Sequence, residues 1–174
     1  MTRRLLVEAD GGSRGNPGLA GYGAVVRDAL TGEVLAEVSE AIGRATNNVA
    51  EYSGLLAGLR AAARLAPGAE AEVRMDSKLV VEQMSGRWQI KHPELRVLAA
   101  QASQEARAFR RVSYTWVPRE RNKHADRLAN EAMDAAAADA GGPARTRSPG
   151  GPGAGRPAPD GTAPRQSSGT PGLW

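Results

Sequence analysis

The chain has 174 residues, enough for one folded domain with its own apolar core and too few for two full domains plus linkers. It has no cysteine and two histidines, His92 and His124, which excludes disulfide scaffolds, thiol nucleophiles, iron–sulfur clusters and zinc sites built on cysteines or three imidazoles. Lysine and arginine exceed aspartate and glutamate by 23 to 19, a net charge of +4 that favours an anionic partner without naming one, and any metal chemistry falls to carboxylates.

In chain order, residues 4–10 read as a strand stopped by Gly11-Gly12, and residues 22–27 and 34–38 as two further strands about the turn signal Asp28 to Gly32, so that the three form an antiparallel meander. From Asn48, the apolar positions Val49, Tyr52, Leu55, Leu56, Leu59 and Ala63 recur every three or four residues, the spacing of a helix with one buried stripe, which Pro67-Gly68 closes. Residues 72–76 form a short strand running into a second helix over 77–84; a third helix spans 93–107 with Pro93 in its first turn. Residues 111–116 supply a fifth strand and 124–138 the last helix. The order βββαβααβα predicts an α/β fold with a mixed five-stranded sheet and helices packed on it.

Composition changes at Asp139. The last 36 residues hold nine glycines and seven prolines, and Leu173 and Trp174 are their only bulky apolar side chains, so residues 139–174 read as a disordered tail or linker and 1–138 as the folded domain. No run approaches the roughly 18 apolar residues that span a bilayer, and the N-terminus has no signal-peptide pattern. A soluble, cytoplasmic protein without a membrane partner, and a monomer, is expected.

Four carboxylates stand at element ends. Asp10 closes the first strand, Glu51 lies in the first turn of the first helix, Asp76 closes the fourth strand and Asp126 opens the last helix. Each has a plain local reading: Asp10 as a turn residue, Glu51 as partner of Asn48 in a capping box, Asp76 as N-cap of the following helix, Asp126 as complement to a helix dipole. Their joint placement points elsewhere. Strand C-termini and helix N-termini at one sheet edge would gather four negative groups, which repel unless a cation neutralises them, and hard divalent ions prefer oxygen ligands. Two such ions suit in-line displacement at phosphorus.

The segments Asp10-Gly11-Gly12-Ser13-Arg14-Gly15-Asn16-Pro17-Gly18, Thr46-Asn47-Asn48-Val49-Ala50-Glu51-Tyr52, Met75-Asp76-Ser77 and Asn122-Lys123-His124-Ala125-Asp126 together resemble the type 1 ribonuclease H family, from about Leu5 to Met133. The resemblance implies the ribonuclease H-like fold and hydrolysis of the RNA strand of RNA–DNA hybrids with two Mg2+ ions (Mn2+ in their place), leaving 5′-phosphate and 3′-hydroxyl ends. It implies Asp10, Glu51, Asp76 and Asp126 as the catalytic metal ligands. Asp10 would bridge both ions, Asp76 and Asp126 would serve the nucleophile side, and Glu51 the leaving-group side. It places Asn16, Asn47 and Asn48 along the substrate and Thr46 at a DNA-phosphate pocket. Amides that both donate and accept suit recognition of the RNA 2′-hydroxyl.

Two departures from the family pattern stand out. The basic handle that many relatives carry between the helices after the fourth strand is reduced to Gly86-Arg87-Trp88-Gln89-Ile90-Lys91-His92-Pro93, in which Trp88 is either a stacking surface for substrate or a residue packed between helices. The loop after the last strand lacks the family's histidine. Arg119 there is the candidate phosphate contact, while His124, about 200° around the helix from Asp126, should point away from it. Some proteins with a short-handle domain continue through a linker into a histidine-phosphatase-like domain, so the tail is also consistent with a fused or lost C-terminal partner, although the Arg-His-Gly signature of that domain is absent. A broader metal nuclease acting on duplex RNA or DNA, and a non-catalytic hybrid-binding module, are the competing readings.

Overall fold

The apolar periodicities resolve, in a computed structural model, into five strands and four α-helices; residues 2–140 are described. The strands are β1 (Arg4–Arg14), β2 (Gly18–Asp28), β3 (Val34–Ala45), β4 (Glu70–Met75) and β5 (Arg111–Trp116), and the helices are α1 (Asn47–Leu65), α2 (Lys78–Met84), α3 (Pro93–Ala106) and α4 (Lys123–Ala140). The sheet order is β3-β2-β1-β4-β5, with β1–β2 and β2–β3 antiparallel and β1–β4 and β4–β5 parallel, as the element order predicts. Among the described residues no helix is long and apolar enough to cross a membrane. α4 runs through Ala140, two residues past the expected domain end, and the rest of the expected tail lies outside the described residues.

Alternation along β1 and β4 sends Leu5, Val7, Ala9, Val73 and Met75 to one face, where they meet Tyr52, Leu55 and Leu59 of α1 in the main core. Full burial of each such aliphatic side chain stabilises the fold by about 1.5–3 kcal/mol. The other face of the meander is covered by the stripe Ala125, Leu128, Ala129, Ala132 and Met133 of α4.

Several local boundaries differ from expectation, with physical reasons. Gly11-Gly12 does not stop β1: Gly11 pairs with Tyr22 and Gly12 with Gly21, and the hairpin continues until Gly15, at φ +91°, turns the chain. β3 likewise continues past Val38 to Ala45, because its polar residues pair with the extended half of β2. α1 is capped by Thr46, whose Oγ1 accepts from the Val49 amide at 3.2 Å, so Asn48 is no cap, no capping box forms and Glu51 lies beyond the first turn. Similarly Ser77, not Asp76, caps α2, its Oγ accepting from the Val80 amide at 3.3 Å.

Missing side chains set how closely the helices approach. A Cβ on Gly11 would lie 2.2 Å from the Ala50 carbonyl carbon, one on Gly54 2.7 Å from the Asp10 carbonyl oxygen, and one on Gly23 2.4 Å from the Ala125 carbonyl oxygen. The obstacles are backbone atoms, which cannot swing aside. Gly11 is a glycine because α1 lies directly on it, although in sequence the same residue resembles a turn. Gly11→Ala is therefore expected to destabilise the domain by about 1–3 kcal/mol or more through overpacking, whereas Gly12→Ala, whose new atom would sit 3.4 Å from the flexible Met133 Cε, should cost far less; urea unfolding of the two variants measures the contrast.

Candidate active site

Asp10 and Asp76 are brought together by strand register. The last parallel pair of β1 and β4 is Glu8 with Arg74, and two residues further along each chain are Asp10 and Asp76, on neighbouring strands about 4.8 Å apart. α1, held close by Gly11 and Gly54, carries Glu51 to the same place, and the first turn of α4 brings Asp126. All four carboxylates line one cleft of about 480 Å³, together with Asn47 and Arg119.

The cleft is short of positive charge. Burial, the neighbouring Asp76 charge and a hydrogen bond with Asp126 push the Asp10 carboxyl up to about 8. Burial raises Glu51 to about 7, although the Ser77 hydroxyl, donating to its Oε2 at 2.8 Å, and the Arg119 charge act in the opposite sense. Two arginines line the cleft: Arg14, which is paired with Asp134, and Arg119, whose side chain is 82% exposed with Nε 3.6 Å from Asp76 Oδ2. The side chains are not arranged as a finished ion shell: among the described residues no three acidic or histidine groups form a ready coordination set. Glu51 is turned to Ser77, and Asp76 is engaged by Arg119 and by Asn122.

The amide-bearing residues form a second feature beside the carboxylates. The Asn47 backbone N–H donates to Asn16 Oδ1 at 3.2 Å, and the Ser13 N–H donates to Asn47 Oδ1 at 2.8 Å, tying the β1–β2 turn to the N-terminus of α1. Both side-chain oxygens are thus used internally. Thr46 is occupied as the cap, and Asn48 is exposed. Trp88 is 46% exposed in the α2–α3 connection and does not line the cleft; beside it Arg87 is held by Glu82 at 2.5 Å. His124 points away from Asp126, as expected: its Nδ1 lies 2.7 Å from Arg27 Nη2 and its Nε2 2.8 Å from Glu37 Oε1.

Three contributors escaped sequence reasoning. Ser77 holds Glu51, Trp116 donates from Nε1 to the Asp76 carbonyl at 3.2 Å while remaining 49% exposed, and Asn122 is buried against Asp76. Ser77 and Asn122 left a trace in sequence, as members of the motifs that carry Asp76 and Asp126, whereas Trp116 left none.

Comparison with known proteins agrees with this arrangement. A family model described as reverse transcriptase-like matches residues 8–132. The bifunctional protein Rv2228c of Mycobacterium tuberculosis is 66% identical over 137 residues, 79% of this chain and 37% of that protein, so the chain spans little more than a third of the length of that relative. The solved N-terminal RNase H domain of Rv2228c, a fusion with maltose binding protein, superposes with a TM-score of 0.77 at 65% identity, covering 80% of this chain and 99% of that one. Ribonuclease HI of Halobacterium salinarum is 46% identical over 131 residues, 75% of this chain and 65% of that one. LC11-RNase H1, solved in complex with RNA/DNA hybrid, is 40% identical with a TM-score of 0.72, covering 76% of this chain and 99% of that one. With a shared family model over most of its length, a shared fold and the four motif carboxylates in one cleft, the chain belongs to the ribonuclease H family.

Proposed function

We propose that the chain is an endonuclease that hydrolyses the RNA strand of RNA–DNA hybrids with two divalent ions, Mg2+ or Mn2+, leaving 5′-phosphate and 3′-hydroxyl ends. The observation that carries this reading is the convergence of Asp10, Glu51, Asp76 and Asp126, from four separate elements, on one cleft in which burial and a neighbouring carboxylate push the Asp10 and Glu51 carboxyls up. An all-oxygen donor set with this charge deficit fits hard cations, which would compete with Arg119 for Asp76 and with Ser77 for Glu51. Bound there, the ions would supply an acidified water and stabilise charge on the leaving oxygen.

The chain's own residues do the rest. Asp10, the most buried of the four, anchors the site on the central strand; Asp76 and Asp126 flank it, and Glu51 closes the α1 side. Asn16 and Asn47, fixed through their Oδ1 atoms, present Nδ2 donors at the turn and helix N-terminus, with exposed Asn48 and the Thr46 segment beside them, a strip suited to a sugar 2′-hydroxyl and a phosphate. Arg119, extended into solvent at the mouth, is placed to meet a phosphate, and Trp88 offers an exposed ring further along the surface. In the cell we place the protein in the cytoplasm, as a monomer acting on hybrid.

Cleavage assays on labelled hybrid, duplex RNA and duplex DNA test the reading. Hybrid alone should be cut, with Mg2+ or Mn2+ and not with chelator; equal cutting of all three substrates would favour a broader nuclease, and binding without cutting a hybrid-binding module. Asp76→Asn should fold normally and lose at least about 100-fold in kcat, the several kcal/mol that ion-held charge stabilisation contributes. Asn16→Ala and Asn48→Ala should raise KM for hybrid by about tenfold, on the order of one hydrogen bond to substrate each, with melting temperatures close to wild type.

The raised Asp10 carboxyl also gives a stability test. Its ordinary value is 3.8 and its folded value about 8, so between these the unfolded chain is ionised while the folded chain keeps the proton, and the contribution of Asp10 to stability falls as pH rises through that window. In chelator, Asp10→Asn should therefore melt higher than wild type by a margin that widens from pH 5 to pH 8, and Mg2+ should narrow that margin by stabilising wild type alone.

A further inference from the structure

We infer that Asn122 is a positioning residue of the carboxylate cleft, which fixes Asp76 through one oxygen, turns the other towards Arg119 where a cation can displace that contact, and ties this orientation to the segments carrying Asp10 and Asp126. The inference deepens the metal-dependent reading and rests on it.

Asn122 is 1% exposed. Its Nδ2 donates to the Ala9 carbonyl at 2.9 Å and to Asp76 Oδ1 at 3.0 Å, while its own carbonyl accepts from the Asp126 amide at 3.1 Å. One side chain and one peptide group thus touch the residue before Asp10, Asp76 itself, and the backbone of Asp126. Both partners of Nδ2 are acceptors without a hydrogen of their own, so the amide has a single workable orientation: a flip would set Oδ1 against two oxygens. That orientation leaves Oδ1 buried without a partner, the one such side-chain atom among the described residues. Here the two donated hydrogens decide the geometry, and the acceptor is left over as a result.

The effect falls on Asp76. With Oδ1 held by Asn122, the carboxylate cannot rotate freely, and Oδ2 is presented towards the exposed Arg119, the side from which a cation would arrive. Residues that orient metal ligands in this way typically change metal affinity or activity by about 10–100-fold when removed. Serine in place of Asn122 keeps a small polar group but has too short a reach to bridge Ala9 and Asp76 together.

The full chain, as wild type, Asn122→Ala and Asn122→Ser, tests this by thermal melting against Mg2+ concentration, by kcat and KM on hybrid, and by the Asn122 side-chain amide signals of the ¹⁵N-labelled wild type. Expected are folded variants that need about 10–100-fold more Mg2+ for half-maximal stabilisation and lose kcat with KM for hybrid near wild type, and wild-type amide protons that are protected from solvent and shift on Mg2+ addition. The amide signals decide the matter should neither variant fold. Wild type that binds Mg2+ and cuts hybrid, with variants matching it in Mg2+ requirement and kcat, or with amide signals that exchange freely and ignore Mg2+, would overturn the positioning role alone. Wild type that neither binds Mg2+ nor cuts hybrid would overturn the metal-dependent reading, and this inference with it.

Discussion

The site depends on the contact of two helices with the two faces of a strand pair that lacks side chains where they meet. Gly11 and Gly54 let α1 rest on β1, and Gly23 lets α4 rest on β2, with backbone against backbone in each case. Glu51 and Asp126 are carried inward by that approach, to join Asp10 and Asp76, which the parallel register of β1 and β4 has already aligned. Apolar burial on both faces of the sheet drives the packing, and electrostatics opposes it, since four like charges converge where solvent is thin. The glycines settle the contest in favour of packing.

This opposition shows in the local chemistry. Asp10 lies buried beside Asp76 and Asp126 with its carboxyl pushed up, Glu51 turns to a serine hydroxyl, and Asp76 accepts from an asparagine amide and faces an arginine. Each of these arrangements is a partial remedy for the same lack of positive charge. A multivalent cation would replace them at once, which is the physical content of the metal-dependent reading.

Much of this was legible in the sequence, and the exceptions have a common cause. The element order, the sheet and the four carboxylates follow from periodicity, turn residues and motif spacing, all of which act over short stretches of chain. Gly11-Gly12 was misread as the end of β1 because a glycine needed for a close helix and a glycine needed for a turn look alike in sequence; only the contact with Ala50, some forty residues on, separates them. Thr46 and Asn48 are both good caps two residues apart, and the choice between them falls to the backbone of the preceding strand, so Glu51 sat further along α1 than its local pattern suggested. Asn122 was invisible as a contributor because its partners lie 113 and 46 residues away. Trp88 had two open readings, and its ring is 46% exposed, outside the carboxylate cleft.

The extension of β1 past its glycines has a geometric consequence. Four residues of strand beyond Asp10, at about 3.4 Å each, form an arm of roughly 14 Å that ends at the turn bearing Asn16. Successive side chains on such an arm alternate between its two faces, so insertion or loss of a single residue would invert the tip relative to the cleft, while a matched pair on each strand would preserve it. Lengthening this hairpin without a bulge, with the tip kept on the same face, therefore takes two residues per strand, about 7 Å of added reach.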